Sequence, residues 1–100
     1  MEQLVQIAKV LSDSNRVKII ALMQREKELC VCEICDTLEL SQPLVSRHLK
    51  QMREAKLVQT RKDGKWMVYS LSSDKIPACF YDIMQKEAEL LPVKISCTTR

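Results

Sequence analysis

Ser41-Gln-Pro-Leu-Val-Ser-Arg-His-Leu-Lys50, followed at 61–66 by Arg-Lys-Asp-Gly-Lys-Trp, is the stretch that decides the fold of this chain. Ser41 offers a side-chain oxygen to the free N–H groups of a helix start. Pro43 falls in the first turn, where a missing N–H costs nothing. Val45, Leu49 and Met52 then recur at i, i+4 and i+7, which predicts one buried helical face. Gln42, Ser46, Arg47 and Lys50 are left on or near the opposite side. Upstream, residues 32–39 suit a short helix burying Ile34 and Leu38, with Leu40 in a tight connection. A short helix, a turn and a longer helix whose exposed half is polar and basic is the helix-turn-helix arrangement.

Downstream the period changes from helical to two. Leu57–Lys62 and Lys65–Leu71 are rich in Val, Thr, Trp and Tyr, and Asp63-Gly64 between them is a hairpin signal. The one glycine of the chain stands where a positive φ is required. A basic hairpin directly after such a helix is a wing, with Arg61, Lys62 and Lys65 at its tip in reach of phosphates or the minor groove. Toward the N-terminus, residues 3–11 read as a helix with a broad apolar face, wide enough to meet a partner subunit as well as the core. Asp13 or Ser14 caps a second helix that runs to about Arg25. Toward the C-terminus, Ser73 or Asp74 starts a last helix with Ile76, Phe80, Ile83, Met84, Ala88 and Leu91 at helical intervals, until Pro92 ends it. The expected fold is mainly α, a winged helix-turn-helix with a two-stranded β wing. It forms one domain over 1–92, and a flexible tail follows at 93–100.

Composition agrees. One hundred residues suffice for a single core. The net charge is +3, yet residues 41–65 hold seven basic side chains (Arg47, Lys50, Arg53, Lys56, Arg61, Lys62, Lys65) against Glu54 and Asp63. The whole excess therefore lies in the helix and wing, which suits a polyanion bound by counterion release. A solvated basic face would give the same count, and it is the coincidence with helix pair and hairpin that selects double-stranded DNA. The charged opening residues do not resemble a secretory signal, and no apolar run has the roughly 20 residues needed to span a bilayer. A cytoplasmic protein with no membrane partner is expected.

Three of the five cysteines, Cys30, Cys32 and Cys35, fall at the entry to the third helix. Cys32 and Cys35 are i, i+3 on one face, and Cys30, in the extended residue before, can fold toward them. A helix N-terminus favours thiolate. Three converging sulfurs form a soft site that lacks the fourth ligand of structural zinc. Trivalent arsenic or antimony, as an inducer and not a catalytic cofactor, fits such a set. Cys32-Glu-Ile-Cys35 is also a C-x-x-C, but dithiol catalysis needs a βαβ setting that helices occupy here. With no acid/base pair near the thiols, an enzyme is not expected. Thiol redox sensing, or sensing of another thiophilic metal, remains an alternative. His48 reads as a DNA-facing or partly buried polar group, Cys79 as a packed residue of the last helix, and Cys97 has no assigned role.

Together, Leu11-Ser-Asp-Ser-Asn-Arg16, the cluster from Glu28 to Cys35, Ser41 to Leu49 and Lys62-Asp-Gly-Lys-Trp66 resemble the ArsR/SmtB repressors. The cysteine pattern is similar to that of the arsenic-sensing branch, which implies Cys30, Cys32 and Cys35 as metalloid ligands. The resemblance also implies DNA contacts from Gln42, Ser46, Arg47 and His48. It further implies a homodimer through the first and last helices, an operator that is an imperfect inverted repeat, and derepression on ligand binding.

Overall fold

The computed structural model describes residues 1–72 and 78–95, and five helices and three strands lie among them. In chain order they are α1 (Glu2–Leu11), α2 (Ser14–Glu26), β1 (Glu28–Cys30), α3 (Val31–Leu38), α4 (Gln42–Glu54), β2 (Val58–Asp63), β3 (Trp66–Leu71) and α5 (Ala78–Glu89). The expected start of the last helix at Ser73 or Asp74 lies outside the described residues, as does Cys97.

α2 is the hub. Ile19, Ile20, Ala21, Leu22 and Met23 are all buried in succession. A helix apolar on every side must be surrounded, and α2 packs against α1, α5, β1 and β3. Its start is fixed by Asp13, whose carboxylate accepts the N–H groups of Asn15 at 2.9 Å and Arg16 at 3.3 Å. Two arginines of α2 serve the ends of its neighbours. Arg16 donates to the carbonyls of Val10 and Lys9 at the close of α1 and to Gln51 Oε1 on α4. Arg25 donates to the carbonyls of Ala88, Leu91 and Pro92 at the close of α5, at 2.9, 3.1 and 2.7 Å. Cations in these places satisfy carbonyls that the helices leave unpaired.

The sheet has three antiparallel strands in the order β1-β3-β2, one more than the expected two-stranded wing. Glu28, Leu29 and Cys30 pair with Ser70, Tyr69 and Val68. Three residues are too short to display a period of two, and their partner strand lies far along the chain, so β1 has no local signature. The hairpin loop is Gly64–Lys65, because Asp63 pairs with Trp66, and Gly64 takes the expected positive φ of 63°. α3 begins one residue earlier than expected, at Val31, with Cys30 as its N-cap. It ends at Glu39 in the left-handed region, where the N–H of Leu40 closes on the Cys35 carbonyl at 3.0 Å. That turn joins α3 to α4, and the two helices pack together.

After α5 the chain does not leave the body. Lys94 Nζ lies 3.7 Å from Glu33 Oε2, and the Ile95 N–H donates to Thr37 Oγ1 at 2.9 Å, both on α3. The described part of the tail, expected to be loose, is thus tied to the third helix. Among the described residues, no helix is long and apolar enough to cross a membrane.

Candidate functional site

Ser41 Oγ accepts the Leu44 N–H at 3.4 Å and Pro43 sits in the first turn, so α4 starts as the sequence indicates. Val45, His48, Leu49 and Met52 form its buried face. Gln42, Ser46, Arg47 and Lys50 are exposed on the other side. Three of these stand at i, i+4 and i+8, a single row of hydrogen-bonding side chains along the helix.

His48 departs from this row. It is 5% exposed, and neither ring nitrogen has a hydrogen-bond partner among the described residues. Burial lowers its pKa below the usual imidazole value, Asp13 opposes that, and Arg16 and Arg47 add to it. Of the two readings left open for this residue, the structure has the buried one, because position 48 falls beside Val45, Leu49 and Met52 on the core side of the helix.

On the wing, Lys62 and Lys65 are exposed, and Lys65 Nζ lies 5.6 Å above the Trp66 ring. Arg61 is exposed but engaged. Its Nε and Nη2 donate to the Glu28 carboxylate at 2.6 and 2.8 Å, a two-point pair that raises its pKa further. The wing is thereby linked to β1, two residues before the first cysteine.

The thiols occupy the β1–α3 junction. Cys30 is buried, and its Sγ lies 3.3 Å from Cys32 Sγ. The Cys30 N–H donates to Glu33 Oε1 at 3.0 Å, holding the strand end against the first turn of the helix. Cys35 is half-buried. Burial first, then the charge of Asp36 and the nearby Cys30, push its thiol up from the ordinary value. This reverses the expectation of a thiolate-favouring position: Cys35 stands beyond the first turn, where the helix field has faded. Cys32 is in a disulfide, and since Cys30 and Cys35 are free thiols neither is its partner. No three His, Cys, Asp or Glu side chains among the described residues are gathered as a set able to hold a metal ion. The donors still suit a soft trivalent ion: two sulfurs stand in contact and a third lies on the same short helix.

Sequence reasoning missed the partners that fix these groups, Glu33, Glu28, Lys94 and the two capping arginines. The one signal the sequence offers is a glutamate at position 33, the third residue of α3 and the place of a capping-box acid.

The pattern of the bacterial regulatory protein arsR family matches residues 13–60. The chain is 47% identical over 74 residues to the arsenical resistance operon repressor of Escherichia coli (strain K12), covering 74% of this chain and 62% of that one. It is 49% identical over 65 residues to the arsenic resistance transcriptional regulator ArsR1 of Pseudomonas putida, covering 65% of this chain and 51% of that one. The chain thus spans between half and two thirds of the length of these two relatives. In fold it is similar to the homodimeric winged helix-turn-helix DNA-binding domain Mb0332 from Mycobacterium bovis, with a TM-score of 0.71 and 22% identity over 88% of this chain and 80% of that one.

Proposed function

The chain belongs to the arsR family of bacterial regulatory proteins, and on that premise we propose that it is a cytoplasmic transcriptional repressor that binds operator DNA as a homodimer and releases it when trivalent arsenic or antimony is taken up by Cys30, Cys32 and Cys35. The observation that carries the reading is the placing of two contacting sulfurs at the start of α3, the helix packed against α4. Gln42, Ser46, Arg47 and Lys50 enter the major groove from α4, Lys62 and Lys65 hold backbone phosphates, and the operator is an imperfect inverted repeat that mirrors the two-fold axis of the dimer.

The raised Cys35 thiol favours a metalloid over a divalent cation. Arsenous acid brings its own hydroxides. Each As–O bond that breaks as an As–S bond forms sends the thiol proton away in water, so a protonated thiol is no obstacle. A bare divalent cation must instead expel that proton to solvent, against the burial and the Asp36 charge that hold it. Drawing Cys35 toward Cys30 and Cys32 shifts α3 at its first two turns. α4 moves with it, and the two recognition helices of the dimer lose the spacing that operator half-sites require. Only a few kcal/mol of coupling are needed for a ~100-fold fall in affinity.

The disulfide at Cys32 supports one second reading, thiol redox sensing on the same scaffold. Fluorescence anisotropy of labelled operator distinguishes the two. Arsenite or antimonite added under reducing conditions releases DNA if the metalloid reading holds. If release follows peroxide alone, the redox reading replaces it.

A further inference from the structure

Glu33 is the most deeply buried acidic side chain among the described residues, at 1% exposure. It touches the thiol cluster without being a thiol. Its Oε1 accepts the Cys30 N–H at 3.0 Å, and its Oε2 lies 3.7 Å from Lys94 Nζ, on the segment that follows α5. Burying a carboxylate is costly unless it is hydrogen-bonded and paired, and this one has both kinds of partner. The bond reaches back from the third residue of α3 to the N-cap. It fixes the backbone at the one cysteine that belongs to the strand end and not to the helix. Cys30 is also held by its pairing with Val68 on β3; its φ and ψ are extended, and its sulfur lies 3.3 Å from that of Cys32 where the chain turns into α3. The Ile95 N–H bond to Thr37 Oγ1, one helical turn on, holds the Lys94 segment in place.

We propose that Glu33 is a positioning residue of the metalloid site: by holding the Cys30 amide it aims the Cys30 sulfur at Cys32 before any ion arrives, and Lys94, arriving from beyond α5, keeps its charge buried in that place. The inference rests on the reading of Cys30, Cys32 and Cys35 as the ligand set. Glu33 does not join that set. Together with the strand pairing at Val68, it removes freedom that Cys30 would otherwise lose on binding.

Glu33→Gln and Glu33→Met separate the bond from the bulk. Both are uncharged, both are straight-chained and tolerated in helices, and only Gln retains an oxygen for the Cys30 N–H. Two readouts apply to full-length, reduced protein. One is the near-ultraviolet sulfur–arsenic absorption on titration with arsenite. The other is hydrogen exchange of the Cys30 amide with no arsenite present. The expected result is a Gln variant within about threefold of the parent in arsenite affinity and a Met variant weaker by about tenfold, the effect of one hydrogen bond to a buried donor. Cys30 amide exchange is expected to quicken in the Met variant and to stay slow in the Gln variant. Equal affinities and equal exchange in the two variants would overturn the assignment while leaving the ligand set standing. A parent with no sulfur–arsenic absorption would overturn the ligand set itself, and this inference with it.

Discussion

In the proposed reading, Arg47 is the side chain on which sequence reading at the operator depends. It is exposed, has no ion-pair partner among the described residues, and stands beside the row of Gln42, Ser46 and Lys50. A two-point contact from an arginine to guanine discriminates between bases by ~1–3 kcal/mol. Arg47→Ala is therefore expected to weaken operator binding by about that amount while leaving random duplex nearly unchanged, as paired anisotropy titrations would show. Equal loss on both duplexes would make Arg47 a phosphate contact only. His48, one residue on, acts on stability instead. Its folded pKa is lowered by burial, so the unfolded chain binds the proton more readily. The stability it supports is full above the unfolded value near 6.5 and is lost as pH falls from there toward the folded value. Denaturant midpoints measured down this range are expected to fall in the parent and to fall less in His48→Leu. At the same scale lies the clearest limit of the sequence. The row on α4 was legible because helical spacing alone separates inside from outside. The partners of Glu33, Arg25 and Glu28 were not, because each meets its group through tertiary packing, across 61, 63 and 33 residues.

Among the elements, the hairpin illustrates how far local signals carry. Gly64 was assigned a positive φ from its place between two alternating runs, and it has one. A Cβ at Gly64 would meet nothing within 4 Å, so Gly64→Ala costs only the backbone strain, about 1 kcal/mol in thermal or denaturant unfolding. The loop itself sits one residue later than Asp63-Gly64 suggested, since cross-strand pairing and not dipeptide preference sets where the strands stop. β1 lay beyond reach for the related reason that its pairing with β3 is non-local. Its consequence is functional. Arg61 is held by Glu28 on β1, which leaves Lys62 and Lys65, the latter over the Trp66 ring, as the exposed lysines of the wing tip. Lys62→Ala is expected to weaken operator and random duplex alike and to reduce the slope of log affinity against log salt by about 1. An unchanged slope would remove the wing from the phosphate contacts. The helix-turn-helix was legible, with Ser41 and Pro43 marking its second helix and Ile34 and Leu38 its first, whose start lies one residue earlier than read. The disulfide state of Cys32 and the raised Cys35 thiol also lay outside what spacing could supply.

At the level of the whole molecule, α1 and α5 leave apolar surface uncovered. Leu4 is 61% exposed, Val5 49% and Ile83 60%, and beside α5 a cavity of about 260 Å³ is lined by Leu11, Val17, Phe80, Ile83, Met84 and Glu87. A chain of this size gains more by covering such a surface than by leaving it wet. Sedimentation equilibrium is expected to return a dimer mass with or without metalloid, and Ile83→Glu is expected to shift it toward monomer and to weaken operator binding with it. A monomeric parent would remove the basis for an inverted-repeat operator. Dimer, recognition helix and thiol cluster meet in the claim that soft-ion binding at α3 releases DNA. The measurement that tests it most directly is arsenite-dependent release of labelled operator by the parent and by Cys35→Ser, under reducing conditions that exclude disulfide formation. The parent is expected to release operator and the variant to hold it, with equal affinity before arsenite is added. Release by both, to the same extent and at the same arsenite concentration, would contradict the account.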